Sequence, residues 1–384
     1  MNAQRIAAVV SKEWREILRD RLYLGLAFVL PFVFMILFGY GLSFDVEEVP
    51  LAVVDHDRSP LSRDYAYRFI HSRYFDFRGY VQDERDLDAL FGGAMIRVAL
   101  VIPPGFERDL GSGRATGVLS VIDGVFPERA GITRGYVTAI NAAFRRELIE
   151  RHLSDALGVS VEQARALIEP VRLEVRYLYN EAARSIWSIA PKLLSVILLI
   201  ASPFLTALAI VREKETGSIY NIYSSTLTRG EFLLGKLIPY AVIAFANSLI
   251  LWALATGLYG APFKGGLALF LAASALYAVC AAGVGMLVSL MVRTQMAALV
   301  VTVILTIVPA VNYSGLFVPI SSLDPQTRVI AHLFPALFYT NINLGVFLKG
   351  VGLEVLWSDV AALALYATVV LAMDYLLFRK RVKA

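Results

Sequence analysis

From Leu22 to Phe44 the chain runs 23 residues without a charge. A helix of that length, at 1.5 Å per residue, crosses about 30 Å of hydrocarbon. Further apolar stretches follow at Leu193 to Val211, Leu237 to about Tyr259, Gly265 to Val292 and Thr294 to about Val318. A last one, Trp357 to Phe378, carries Asp359 and Asp374 near its two ends. Six spans are therefore expected, and an ordinary soluble enzyme is excluded. Only 18% of the 384 residues are charged, against about 25% in soluble domains, so charge is concentrated between the spans. The first run ends in Gly-Leu-Ser-Phe-Asp and is longer than the apolar core of a cleavable signal, so it reads as a retained anchor.

Basic residues fix the expected orientation. Five precede the first span, four lie between the second and third, one between the fourth and fifth, and four (Arg379, Lys380, Arg381, Lys383) follow the sixth. The opposite short loops hold only Lys264, Arg328 and Lys349. By the positive-inside rule both termini face the cytoplasm. The uncharged segment Val329 to Leu348 contains His332, Pro335, Asn341 and Asn343, which are costly in lipid, so 319–350 is expected to be re-entrant or interfacial on the outer side.

Residues 45–188 are long enough for a single domain, and topology places them outside the membrane. They hold 18 Arg, no Lys and 22 acidic residues, which argues against a nucleic-acid platform. Short apolar runs at Leu51–Val54 and Arg97–Ile102 alternate with helical patterns, Ser59-Pro60 opens one helix, and Ala130–His152 forms another. Val171, Leu173, Val175 and Tyr177 alternate as in a strand. The pattern is that of a small α/β domain. Asp55, His56, Asp57 and Ser59 are catalytic residue types, yet their spacing fits a turn with side-chain to backbone bonds better than a hydrolase elbow or a zinc helix. The single cysteine, Cys280, excludes an intrachain disulfide framework.

On the cytoplasmic side, the loop 212–236 places Arg212, Glu213, Lys214 and Glu215 ahead of Gly217, then Ile219, Ile222 and Tyr223 at helical spacing. This is expected to be a short amphipathic helix on the membrane surface. Gly230 to Lys236 has phosphate-loop spacing, but Leu237 replaces the required Ser or Thr and no buried strand precedes it. The chain is not expected to hydrolyse ATP by itself.

Taken in order, the charged N-terminus ending Lys12-Glu13-x-x-Glu16-x-x-Arg19-Asp20, then Val54-Asp55-x-Asp57-x-Ser59, Val101-Ile102-Pro103-x-Gly105-Phe106, Arg212-Glu213-x-Glu215-x-Gly217 and Thr228-Arg229-x-Glu231-x-x-x-Gly235-Lys236 resemble ABC-2 type transporter permeases. These are the membrane subunits of type V ATP-binding cassette exporters, here in the bacterial half-size form with a large extracytoplasmic domain. Ser218 stands where the family usually has Thr.

The resemblance implies an α-helical polytopic membrane protein of six transmembrane helices with an α/β extracytoplasmic domain. The expected order is an interfacial helix (1–21), the first span (22–44), the outer domain (45–188) and a five-helix region (189–384). It implies a translocation pathway for an amphipathic or hydrophobic drug, lipid or polymer in a bacterial inner membrane. A separate ATPase subunit would bind ATP and Mg, with no cofactor or metal in this chain, and would contact an exposed pair, Glu213 and Glu215, with Arg212, Gly217 and Ser218. Arg15 and Arg19 on the N-terminal helix are candidate neighbours. A second permease chain, identical or paralogous, would complete the pathway, with membrane lipid around it and a periplasmic or outer-membrane component as a further partner; no nucleic acid is expected. Asn247 and Asn312 are polar groups within spans and should face protein or the pathway. Two rival readings are a membrane-anchored hydrolase and a non-catalytic scaffold.

Overall fold

The computed structural model describes residues 2–42, 46–158, 160–168, 176 and 178–378, apart from the side chains of 161, 164, 166, 167 and 221–223. The alternation from Val171 to Tyr177, the side chains of Ile222 and Tyr223, the far end of the first apolar run at Phe44 and the basic tail lie outside these. The chain divides into two compact units, Met1–Ser43 with Tyr177–Ala384, and Phe44–Arg176.

The first unit begins with α1 (Ala3–Arg19), whose buried positions Val9, Glu13 and Ile17 recur every four residues. Asp20 ends α1 and caps α2 (Arg21–Leu24), accepting from the Tyr23 amide at 3.1 Å. A π-turn at Gly25–Val29 leads into α3 (Leu30–Gly41). Pro31 has no N–H to return to the Ala27 carbonyl four residues earlier. Asn247 Nδ2 donates to that oxygen instead, at 2.8 Å.

The second unit is an α/β domain. In chain order it runs β1 (Val49–Asp55), α4 (Pro60–Ile70), β2 (Phe75–Tyr80), α5 (Arg85–Gly92), β3 (Val98–Ile102), α6 (Phe106–Gly111), β4 (Leu119–Ile122), α7 (Pro127–Leu157) and α8 (Val161–Ile168). Strand order is β2-β1-β3-β4. β1 pairs in parallel with β2 and β3, while β4 is antiparallel to β3. One face of the sheet (Leu51, Val53, Val98, Leu100) packs on Tyr65 and Phe69 of α4, Phe106 of α6 and Phe144 of α7. The other face (Ala52, Val54, Ala99, Val101) packs on Leu87 of α5. Burial on both faces is why β3 is apolar throughout rather than alternating.

The first unit then resumes with α9 (Ser185–Glu215), α10 (Ile219–Ser224), α11 (Arg229–Ala253, extended by a π-turn to Leu258), α12 (Leu267–Met291) and α13 (Gln295–Asn312). After these come α14 (Pro325–Ala331), α15 (Pro335–Leu344, extended to Lys349) and α16 (Leu353–Leu377). Among the described residues six helices are long and apolar enough to cross a membrane: Arg21–Gly41, α9, α11 with its extension, α12, α13 and α16. α14 and the extended α15 meet at 88° and would make a seventh only as a broken span.

Helix α9 is the axle of the bundle, buried along most of its length against α3, α11, α12, α13 and α15. It extends beyond the expected 193–211 at both ends, because Lys192 and Lys214 are half-buried within protein rather than exposed to lipid. By contrast α13 stops at Asn312, six residues short of the uncharged run; the helix passes through Pro309, and beyond its end Gly315 takes the left-handed conformation (φ 77°). The small residues of α12 mediate packing inside the chain. A Cβ on Gly285 would lie 2.3 Å from the Pro203 carbonyl oxygen of α9, and one on Gly283 would lie 2.8 Å from Val370 of α16. Toward the other end of α12, Tyr277 donates to the Ser195 carbonyl at 2.7 Å and stacks on Tyr339, while Asn343 Nδ2 donates to the Pro191 carbonyl at 3.2 Å.

Candidate functional site

The amphipathic stripe of α1 lies against the start of α11, and the two helices come close because position 235 is glycine. A Cβ there would sit 2.6 Å from Val9 Cβ. The residues with phosphate-loop spacing are thus a helix, and their glycine is a packing device. The start of α11 is fixed by a capping box in which Thr228 accepts from the Glu231 amide while Glu231 accepts from Thr228 N at 2.9 Å. Glu231 also accepts from Asn2 N at 2.7 Å, and Arg5 donates to the Thr226 carbonyl at 2.9 Å. The first turn of α1 is thereby pinned to the head of α11.

One stripe further in is a buried ionic cluster. Lys236, wholly enclosed, donates to Glu13 Oε1 at 2.6 Å. Its ammonium also stands 2.8 Å from Glu213 Oε2, off the line of a hydrogen bond. Tyr240 donates to Glu13 Oε2 at 3.0 Å. Lys12 reaches over the top to Glu213 and, at 3.2 Å, to Glu16. Burial pulls the Lys12 ammonium down, and Glu213, Glu13 and Glu16 together more than offset it, so its pKa is raised. Glu13, Glu16 and Glu213 are close enough together to suggest a metal site, but the Lys12 and Lys236 ammonium groups already provide the counter-charge. Glu13 and Glu213 are each about 95% or more buried and are balanced by two lysines. Removing a single member would leave an uncompensated charge.

Glu213 is therefore not half of an exposed carboxylate pair. α9 continues as a helix to Glu215, and Thr206, Ile210 and Glu213 share its buried stripe. Glu215 faces out, accepting from Gln295 N at 2.7 Å at the head of α13. Arg212 donates to Asp20 at 2.7 Å, joining α9 to the junction between α1 and the first span, and the Arg212 hydrogen bond holds the Asp20 carboxyl below its ordinary range. Gly217 adopts φ 76° just after α9, turning the chain into α10. Ser218 donates to the Glu213 carbonyl at 3.4 Å, and Ile219 is buried. Arg15 and Arg19 are exposed on α1. Asn247 joins spans one and three. Asn312 is exposed, with its amide donating to Val308 O of its own helix, and so does not pack within this chain. Asp374 is buried in α16 beside Gly283, without a hydrogen-bond partner among the described residues.

Sequence reasoning missed Lys12, Glu13, Lys236 and Tyr240 as a site. The available signal was Glu13 itself, a carboxylate in register with Val9 and Ile17 on an otherwise apolar stripe.

In the α/β unit, Asp55 accepts from the amides of Asp57 and Arg58 and from Ser62 Oγ at 2.8 Å. Asp57 accepts from the amides of Gly105, Phe106 and Glu107 at 2.7, 3.1 and 3.0 Å. Both carboxylates hold backbone in place, and Ser59 caps α4. The Ser59 hydrogen bond, with those amides, keeps the Asp57 carboxyl below its ordinary range.

The sequence pattern of the ABC-2 family transporter proteins matches residues 21–375. Escherichia coli K12 has three curated relatives of similar length. The probable multidrug ABC transporter permease YbhS is 28% identical over 380 residues, covering 98% of this chain and 97% of its own. The probable multidrug ABC transporter permease YbhR is 23% identical over 378 residues, covering 98% and 99%. The inner membrane transport permease YhhJ is 24% identical over 335 residues, covering 87% and 86%. With six membrane-length helices and a match over nearly its whole length, the chain belongs to the ABC-2 family of transporter proteins, as a multi-pass membrane permease.

Proposed function

We propose that this permease forms half of the translocation pathway of an ATP-driven exporter and receives its work stroke through α10 and the ionic cluster beneath it. ATP and Mg belong, in this reading, to a separate cassette ATPase that docks at 212–224, with Arg15 and Arg19 beside it and both termini of the permease cytoplasmic. A second permease chain, identical or paralogous, closes the pathway. The names of YbhS and YbhR favour a drug-like, amphipathic substrate. The α/β unit stands outside the membrane in this reading, as a gate or a docking platform for an outer component.

The observation that carries the proposal is the convergence of α1, the end of α9 and the start of α11 on Glu13, Lys236 and Glu213, with α10 following directly from that end of α9. A displacement of α10 cannot move one of these helices without straining a buried charge pair in the others. That is the kind of bistable element through which a nucleotide-driven contact shifts the populations of two arrangements. The test is co-reconstitution of the full chain with a cassette ATPase subunit. ATP-dependent movement of an amphipathic dye should require both proteins. Full transport or ATP hydrolysis by this chain alone would overturn the reading, and hydrolytic turnover that vanished in Asp55→Asn would favour the anchored hydrolase.

A further inference from the structure

At the elbow where α1 gives way to the first span, a cavity of about 690 Å³ opens between α1, α2, the end of α9 and Tyr240. Arg19, Arg21 and Arg212 line it, together with Glu16, Asp20 and Glu213. Asp20 is matched by Arg212 at 2.7 Å, while Glu13, Glu16 and Glu213 share the two ammonium groups of Lys12 and Lys236, which leaves one carboxylate charge to set against the remaining arginines. Arg19 and Arg21 flank Asp20 in sequence and are exposed, and their guanidinium groups have no ion or hydrogen-bond partner among the described residues. The uncommitted charge of the cavity is therefore positive. Ile17, Ala209 and Leu22, the last 79% exposed, give the rest of the wall an apolar side, with the hydroxyls of Thr216 and Ser218 at the end of α9.

The level of this cavity is set by the chain itself. One membrane-length helix starts at Arg21, another ends at Glu215, and a strongly amphipathic helix leads in, so the opening lies where headgroups meet acyl chains. Two free guanidiniums above an apolar wall, at that depth, match a ligand with a phosphate at one end and hydrocarbon at the other. The volume is within the range of small-ligand sites and far larger than a phosphate alone needs.

We propose that the elbow cavity binds an anionic glycerophospholipid, its phosphate taken by Arg19 and Arg21 and its glycerol end lying along Leu22 and Ala209. A lipid held there bridges the interfacial helix to α9 beside the ionic cluster. The chemistry recognised is a phosphate ester, and the membrane is its source.

Native mass spectrometry of the full chain released from vesicles tests this with no ATPase present, so the result is independent of the coupling proposal. Vesicles of phosphatidylcholine alone are compared with vesicles that also contain phosphatidylglycerol. Wild type should retain phosphatidylglycerol in preference to phosphatidylcholine. The Arg19→Gln/Arg21→Gln double variant, altered only at exposed side chains, should retain it on the order of tenfold less. Arg293→Gln, an exposed arginine between α12 and α13 at the same end of the bundle, should behave as wild type, and soluble glycerol phosphate should not displace the lipid. The proposal is overturned by equal retention of the two lipids, by an equal loss in Arg293→Gln, or by displacement with glycerol phosphate, which would mark a site for free phosphate. It is equally overturned if the double variant retains phosphatidylglycerol as wild type does.

Discussion

Glu13 shows how much a single residue's setting depends on partners far away in sequence. It lies on the buried face of an otherwise solvated amphipathic helix, and its partner Lys236 comes from another helix 223 positions away. Breaking one half of such a pair costs about 3–5 kcal/mol, because the other half stays buried and charged. Lys236→Met and Glu13→Gln should therefore each lower the thermal midpoint of the purified chain by several degrees, and the double variant should lose clearly less than the two together. Strict additivity in that cycle would show that the two side chains do not interact. Glu213 was misread from sequence because a charged run gives composition without phase; only the continuation of α9 to Glu215 turns residue 213 inward. Asp57 was legible, since an Asp-x-Asp-x-Ser after a strand is a turn motif, but its second task, holding the N-terminus of α6, depends on a segment 48 residues away. Its depressed pKa stabilises the fold above the unfolded value of about 3.9, and that contribution is lost as pH falls through the folded value. Hydrogen exchange at the amides of Gly105 to Glu107 should accelerate near pH 3 relative to pH 6 after correction for intrinsic rates. In Asp57→Ala they should be less protected by about 1–2 kcal/mol at both. Unchanged protection in that variant would contradict the assigned cap.

At the scale of elements, length and hydropathy located the spans, whereas their ends depended on neighbours. α9 outruns its uncharged core because protein rather than lipid surrounds its lysines, and α13 falls short because the chain turns through the left-handed Gly315 where apolarity alone would continue the helix. Within α12, hydropathy did not say what the glycines pack against. The answer at Gly285 is the backbone of α9 at Pro203. Gly285→Val should thus prevent the α9–α12 contact and reduce the folded yield in detergent, overpacking of this kind costing about 1–3 kcal/mol or more. Gly257→Ala, where nothing lies within 4 Å of an added Cβ, should leave yield and thermal midpoint unchanged. Equal behaviour of the two variants in fluorescence-detected gel filtration would refute the close approach.

For the molecule as a whole, the family was legible because its motifs recur in order along nearly the full chain, while the machinery connecting those motifs was not. Lys12, Glu13, Glu213, Lys236 and Tyr240 come from three helices and meet only when the bundle closes. The account stands on that meeting point acting as a transmission between an ATPase and the spans. The decisive comparison is wild type against the Glu13→Gln/Lys236→Met double variant, co-reconstituted with the ATPase subunit, with ATP hydrolysis and dye transport measured on the same vesicles. Hydrolysis should persist while dye moved per ATP falls on the order of tenfold, the scale of an allosteric coupling energy. An unchanged ratio of transport to hydrolysis, with the folded protein intact, would show that the cluster holds helices together and transmits nothing.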